Sequence, residues 1–223
     1  MEFRLQSVEQ LFADRTLLLE QSTFHWTRRN IAELLDDIQR SDRYRTPHFL
    51  GLLGLVPTTT AGHFKVVYGK QRLMTLTLLL RQVIGLVSVK NIRNELSALY
   101  LGSESAPRLR LPPEDDAYFR RLFCDQTVAP ESESQAAMAK AYRQIQKRTK
   151  EESSTYWSRW ATRMQVLICI APDEAHARWI EHLHFARGTP RRLRERDPEC
   201  PTMQGHLDIL PFFPSRRPAD DGA

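Results

Sequence analysis

Hydrophobic positions in the first third of the chain follow first a helical and then a strand-like spacing. From Ile31 onward, apolar residues recur at i, i+3, i+4 and i+7 behind Thr27, a suitable N-cap, which predicts a helix over residues 27–40. Two short apolar runs at 49–56 and 64–68 are separated by a polar loop and predict neighbouring buried strands.

The rest of the chain has mostly helical spacing. A β-branched run predicts one further strand at residues 164–170. Helices are predicted over 71–86, 91–101, 114–123, 133–150, 155–162 and 173–186. The predicted fold class is therefore α+β, with a small mixed β-sheet near the N-terminus followed by a mainly helical half.

The organisation of the chain changes near its C-terminus. After residue 190, a basic run and recurrent prolines replace the periodic pattern, which is typical of a poorly ordered tail. We therefore predict three segments: a core over 1–102, a helical second half of the same domain over 103–190, and a basic, Pro-rich tail over 191–223.

Composition and charge indicate an ordinary soluble protein. Hydrophobic residues make up 41% and charged residues 26% of the chain, which excludes global disorder. The net charge of +5 is compatible with a nucleotide or nucleic acid partner without requiring one. Cys124, Cys169 and Cys200 fit no disulfide framework, so we expect a reducing, cytoplasmic location. No signal pattern or membrane-spanning stretch is present, and we expect no membrane association.

Residues 67–76 carry the most informative chemistry. A strand ends at Gly69 and a helix begins within two residues, so the first N–H groups of that helix can bind an anion. Lys70 and Arg72 add positive charge, and Gln71 can contact phosphate or water. Such a corner is more often a solvated turn. It is not a Walker P-loop, because no Ser or Thr follows the lysine.

Several segments, taken in order, resemble one protein family. Trp26-Thr27 precedes the first helix, Phe49-Leu50-Gly51 follows it, and Tyr68-Gly69-Lys70-Gln71-Arg72 comes next. This order resembles the N-terminal domain of GmrSD-type, modification-dependent restriction endonucleases. The hallmark of that family is Asp-Gly-Gln-Gln-Arg after a strand. The resemblance extends over about residues 5–190 and includes Arg108-Leu109-Arg110-Leu111 with Asp115.

The resemblance implies a ParB/sulfiredoxin-like core over residues 1–102. In the family, the corner binds a nucleoside triphosphate, here GTP or ATP with Mg²⁺, and its hydrolysis is coupled to restriction of modified phage DNA. Carried over residue by residue, Gly69, Gln71 and Arg72 stand at matching positions, and Lys70 adds charge. The resemblance suggests four supporting residues: Gln21, Trp26, Arg187 and Gly188.

The chain departs from the family at chemically important positions. Tyr68 stands where the motif has Asp, and Lys70 stands where it has its first Gln. An Asp at a phosphate site is the natural holder of Mg²⁺ or of an attacking water, so its loss argues against hydrolysis. Asp36, Asp37 or Glu20 would have to replace it near Gly69. After residue 188 the sequence offers only His206 and no asparagine, so we do not expect it to carry the His-Asn-His nuclease that follows this domain in the family.

The predicted function is a truncated nucleotide-binding module of a restriction and anti-phage system, at best a nucleoside triphosphatase. Its expected partners are a nucleotide, modified DNA and a nuclease subunit. The alternative is a non-catalytic remnant that binds DNA or a partner defence subunit. The sequence assigns no catalytic residue and no metal ligands. Cys169, in an apolar run, is expected to be a buried hydrophobe rather than a nucleophile.

Overall fold

The computed structural model describes residues 1–13, 15–20, 22–103, 105–122, 128–150 and 163–185, with side chains as far as residue 179. Within these residues the architecture is α+β, which confirms the predicted fold class. Several predictions lie outside the described residues: the helix at 155–162, the tail from 191, and the supporting residues Gln21, Arg187 and Gly188.

One mixed sheet runs through the described part of the chain. Its strands are β1 (Glu2–Ser7), β2 (Thr16–Leu18), β3 (His48–Pro57), β4 (His63–Tyr68), β5 (Leu109–Arg110) and β6 (Met164–Ile170). Their order across the sheet is β1-β6-β3-β4-β2-β5. The β1/β6 and β3/β4 pairs are antiparallel, and the β6/β3, β4/β2 and β2/β5 pairs are parallel.

The described helices pack on both faces of this sheet. They are α1 (Val8–Ala13), α2 (Arg28–Arg43), α3 (Lys70–Gly85), α4 (Lys90–Tyr100), α5 (Pro113–Leu122), α6 (Glu133–Lys150) and α7 (Glu174–Phe185). The helix α2 begins as expected at Thr27, whose hydroxyl caps the helix in a capping box with Asn30. None of the described helices is long and apolar enough to cross a membrane.

The sheet joins distant parts of the chain. The predicted strands at 49–56, 64–68 and 164–170 are present, and β6 lies in the interior of the sheet between β1 and β3. The short elements β1, α1, β2 and β5 were not predicted. The second half of the chain therefore contributes an interior strand and an edge strand as well as helices.

Each face of the sheet has its own core. On the first face, the apolar stripe of α2 and most of α3 are buried together with α6. On the second face, Trp179 of α7 packs near Leu52 and Cys169. Cys169 is fully buried, as expected, and burial raises the pKa of its thiol to about 11, so the thiolate nucleophile is suppressed.

Candidate functional site

A glycine makes the turn from β4 into α3. Gly69 is the N-cap residue of α3 and has a left-handed backbone (φ +86°), and no side chain caps the helix. A Cβ atom at this position would lie 2.9 Å from the carbonyl oxygen of Leu52 in β3. Only glycine therefore allows this backbone conformation and this close approach to β3. We call residues 68–72 the α3 corner.

The first turn of α3 carries a charge pattern that opposes the helix dipole. It contains Lys70 and Arg72 and no acidic residue. Cations at a helix N-terminus are unfavourable, because the N–H groups there already present partial positive charge. An anion bound at the α3 corner would compensate both the cations and the helix end.

The Arg72 side chain lies over β3. A Cβ atom built on Gly51 would lie 3.0 Å from Cζ of Arg72, so the guanidinium packs against the glycine backbone. Gly51 has φ +105° and lies within an irregularity of the β3/β6 pairing between Phe49 and Leu52. A β-bulge with a glycine therefore makes the space that the Arg72 head group occupies.

Arg72 is a half-buried cation that forms no ion pair with any carboxylate of the described residues. None of the ion pairs among the described residues includes Arg72. Burial lowers the pKa of its guanidinium, and the nearby Tyr68 raises it. A cation that is partly removed from water without a counter-ion is costly, and an anionic ligand would offset that cost.

His48, at the start of β3, lies within the electrostatic reach of Arg72. Its side chain is 8% exposed, and its Nδ1 is 3.3 Å from the hydroxyl of Ser41. Burial lowers the pKa of His48; Asp37 raises it, and Arg72 lowers it further. The net effect lowers the pKa of His48, with burial as the largest cause, so the neutral imidazole is favoured.

Gln71 positions another part of the chain. Its Nε2 donates to the carbonyl oxygen of Thr23 (2.6 Å), and its Oε1 accepts from the backbone N–H of His25 (2.9 Å). Both ends of the amide thus bind the backbone of residues 22–27, which we call the 22–27 segment. This segment includes Trp26, which is half-buried and packs against the main core.

A buried hydrogen-bond chain holds the same segment from the opposite side. The N–H of Phe24 donates to Oγ of Ser134 (2.8 Å), and that hydroxyl donates to Oδ2 of Asp115 (2.5 Å). Asp115 belonged to the segment that resembles the family, but no role was predicted for it or for Ser134. A single sequence contains no signal for this link between α5, α6 and the 22–27 segment.

Lys70 of the α3 corner and the nearby Lys65 both contact Glu20, which lies just after β2. Lys70 donates from Nζ to the carbonyl oxygen of Glu20 (3.3 Å). The carboxylate of Glu20 pairs with Lys65 (2.5 Å), and Lys65 also pairs with Glu174 of α7 (2.5 Å). The hydrogen bonds that Lys65 donates to Glu174 and Glu20 raise the pKa of Lys65. Of the three carboxylates considered as replacements for the lost Asp, the structure places Glu20 beside the corner.

A groove of about 400 Å³ opens next to the corner. It lies where the parallel strands β2 and β5 end, on the edge of the sheet where β4 also ends. Glu20 lines it and so connects the groove to Lys70. Its other lining residues are Leu18, Leu19, Arg110, Leu111, Pro112, Pro113 and Glu114. Ligand sites commonly occupy such an edge at the carboxyl ends of parallel strands.

The described residues thus bring Gly69, Lys70, Gln71 and Arg72 into one corner, with Trp26 in the segment that Gln71 holds. No group of three or more His, Cys, Asp or Glu side chains that could hold a metal ion occurs within the described ranges. The site is therefore a basic corner and an adjoining groove of an α+β domain.

Comparison with known families identifies the domain. The family model described as "GmrSD restriction endonuclease, N-terminal domain" matches residues 8–183. The match covers most of the chain, so the protein belongs to this family, and the resemblance inferred from the motifs is confirmed. A comparison with curated proteins found no match.

Proposed function

We propose that the protein is a nucleotide-binding module of a restriction system that defends a cell against phage DNA. Its family membership supports the restriction role. The observation that carries nucleotide binding is Arg72: a half-buried guanidinium without a carboxylate partner among the described residues, beside a helix N-terminus that no side chain caps.

In this proposal, the phosphates of GTP or ATP bind at the α3 corner. Gly69 lets the phosphates approach the backbone, and the first N–H groups of α3 donate to them. Arg72 provides a planar pair of donors, and Lys70 provides a point charge on the side towards β2. Gln71 acts by holding the 22–27 segment in place, because both ends of its amide bind that backbone.

The groove accommodates the nucleoside in the same proposal. The strands β4, β2 and β5 are neighbours, and adjacent strands lie about 4.8 Å apart. The groove at β5 is therefore about 10 Å from the end of β4, which is within the reach of a nucleoside whose phosphates lie at the corner. Leu111, Pro112 and Pro113 provide an apolar wall, and Arg110 and Glu114 provide polar contacts for the base and sugar.

We propose binding without efficient hydrolysis. Tyr68 replaces the carboxylate of the family motif, and the nearby Glu20 carboxylate is paired with Lys65. A carboxylate already paired with an ammonium group is engaged there rather than with an attacking water or Mg²⁺. Mg²⁺ would therefore reach the corner on the phosphates of the nucleotide. Its chemistry there is to neutralise phosphate charge.

A calorimetric titration with GTP and with ATP, each with Mg²⁺, tests the proposal. We expect saturable binding to the wild type and a loss of at least about tenfold in affinity for Arg72→Ala, because a charge-assisted pair of hydrogen bonds disappears. Arg121→Ala, which removes an exposed cation from the last turn of α5, is the matched control and should bind as the wild type does. Phosphate release measured on the same samples should stay at the level of a blank.

The opposite results have equally clear meanings. Folded wild-type protein that binds neither nucleotide would overturn the proposal and favour a non-catalytic module that binds DNA or a partner defence subunit. Equal losses in Arg72→Ala and Arg121→Ala would mean that only general positive charge matters and that the corner is not the site. Rapid phosphate release would contradict the assignment of Glu20 as an inactive carboxylate.

A further inference from the structure

β1 forms one edge of the sheet and exposes apolar side chains there. Phe3 is 46% and Leu5 is 59% exposed, and both point to the second face of the sheet, since they lie opposite Cys169 and Leu167 of β6. Met1 is also exposed, at 46%. A contiguous exposed apolar patch on an edge strand is a typical contact surface for another protein chain.

The backbone of this edge is also available for pairing. Among the described strands, β1 pairs only with β6. The N–H of Ser7 donates to the side-chain Oε1 of Gln10, so this N–H points away from β6. Because N–H groups alternate between the two sides of an antiparallel strand, those of Phe3 and Leu5 point to the same outer edge. The side chain of Gln10 occupies the outer edge of β1 at Ser7. The stretch of β1 considered for pairing with another strand is therefore residues 1–5.

The other face of β1 carries opposite charges two residues apart. Glu2 and Arg4 are both about half exposed, and they pair with each other within the chain. In an antiparallel pair, opposite charges directly across the strands stabilise the pairing, and like charges destabilise it. A strand with this sequence is therefore complementary to itself in one register.

We propose that two copies of the protein pair through β1, antiparallel, about a twofold axis at Phe3. Met1 then faces Leu5 of the partner subunit, and Phe3 faces Phe3 of the partner subunit. On the other face, Glu2 lies opposite Arg4 of the partner subunit, and this ion pair occurs twice. A surface that meets its own copy in this way forms a closed, symmetric dimer.

The competing symmetric register is unfavourable. It would be centred on Arg4, so that two guanidinium groups would face each other directly. It would also place Met1 opposite Ser7, whose N–H is already bound by Gln10. The register centred on Phe3 avoids both problems. It also continues the apolar surface of the second face, where Phe49 of β3 is 52% exposed.

Sedimentation equilibrium of the full chain without an N-terminal tag tests the dimer. We expect the wild type to dimerise reversibly with concentration. Glu2→Lys and Arg4→Glu should each weaken the homodimer by about tenfold or more, because like charges then face each other twice. An equimolar mixture of the two variants should restore dimerisation, because the heterodimer pairs opposite charges again. Ile92→Lys, at an exposed apolar residue of α4, is the control and should dimerise as the wild type does.

The pair of charge-reversal variants distinguishes a dimer in this register from a dimer formed through another surface. A wild type that stays monomeric at all concentrations would overturn the proposal. So would a dimer that neither substitution weakens, or a mixture of the variants that fails to recover dimerisation. Both substituted side chains are exposed and remote from the core, so a folding defect would be visible separately by circular dichroism.

Discussion

At the scale of single residues, the α3 corner depends on a glycine in a different element. The guanidinium of Arg72 occupies the space over Gly51, where any other residue would place its Cβ. The left-handed backbone of Gly51 also disfavours other residues. Arg72 thus remains half-buried and oriented without an ion pair to a described carboxylate, which is the state that an anionic ligand would stabilise.

We expect Gly51→Ala to impair both stability and nucleotide binding. The left-handed conformation costs an alanine about 1–2 kcal/mol, and the new methyl group displaces the Arg72 head group. Urea denaturation and calorimetry on the same preparation would measure the two effects. Gly85→Ala is the matched control, because nothing lies within 4 Å of that position. It should leave binding unchanged and stabilise α3 by up to about 1 kcal/mol. Nucleotide binding by Gly51→Ala at wild-type affinity would contradict this account of Arg72.

At the scale of elements, the 22–27 segment is fastened at two points. Gln71 of α3 binds its backbone on one side, and Ser134 of α6 binds it on the other. Ser134 in turn donates to the buried carboxylate of Asp115 in α5. The segment that precedes α2 is therefore linked by hydrogen bonds to α3, α6 and, through Ser134, to α5. Contacts outside α3 thus also help to position the α3 corner.

We predict that Ser134→Ala destabilises the protein by about 2–3 kcal/mol. The substitution removes the acceptor of the Phe24 N–H and the donor that Ser134 provides to the buried Asp115 carboxylate. Ser105→Ala is the control, since Ser105 is exposed and its hydroxyl forms a hydrogen bond with the exposed Ser103; it should change stability by less than about 0.5 kcal/mol. Equal stabilities of the two variants would show that the buried chain contributes nothing.

The lengths of the helices and strands explain which of them could be predicted from the sequence. Long periodic segments were predicted well, and the bounds of α6 and β6 agree with the predicted 133–150 and 164–170. β2 and β5 have three and two residues, too few for a periodic pattern. β1 does alternate apolar and polar residues, which is a strand pattern, but it was not predicted.

From the sequence, only the local features of the α3 corner could be predicted. The glycine turn and the cations of the first helical turn are local features, and the structure places them as expected. The contact of Arg72 with Gly51 and the partners of Gln71 depend on how β3 and the 22–27 segment pack against α3. Such tertiary contacts leave no periodic signal in one chain.

At the scale of the whole molecule, the sheet unites both halves of the family domain. β6 comes from residues 164–170 and lies between β1 and β3, so the sheet is complete only when the late strand is present. The carboxyl ends of β4, β2 and β5 meet at one edge and form the corner and the groove there. Among the described strands, the outer edge of β1 lies at the opposite end of the strand order. The proposed nucleotide site and the proposed dimer contact are therefore in different parts of the sheet and can be tested separately.

The central claim is that a nucleoside triphosphate binds at the α3 corner, and hydrogen–deuterium exchange tests it most directly. The first N–H groups of a helix have no partner within the helix and normally exchange fast, so a bound phosphate should protect them strongly. With GTP or ATP and Mg²⁺, we predict slower exchange at residues 69–72, which precede the first helical hydrogen bond from Leu73 to Gly69, and at residues 19–20 beside the groove, and no such change in Arg72→Ala. Unchanged exchange at these amides in folded protein saturated with nucleotide, or protection confined to other regions, would contradict the account.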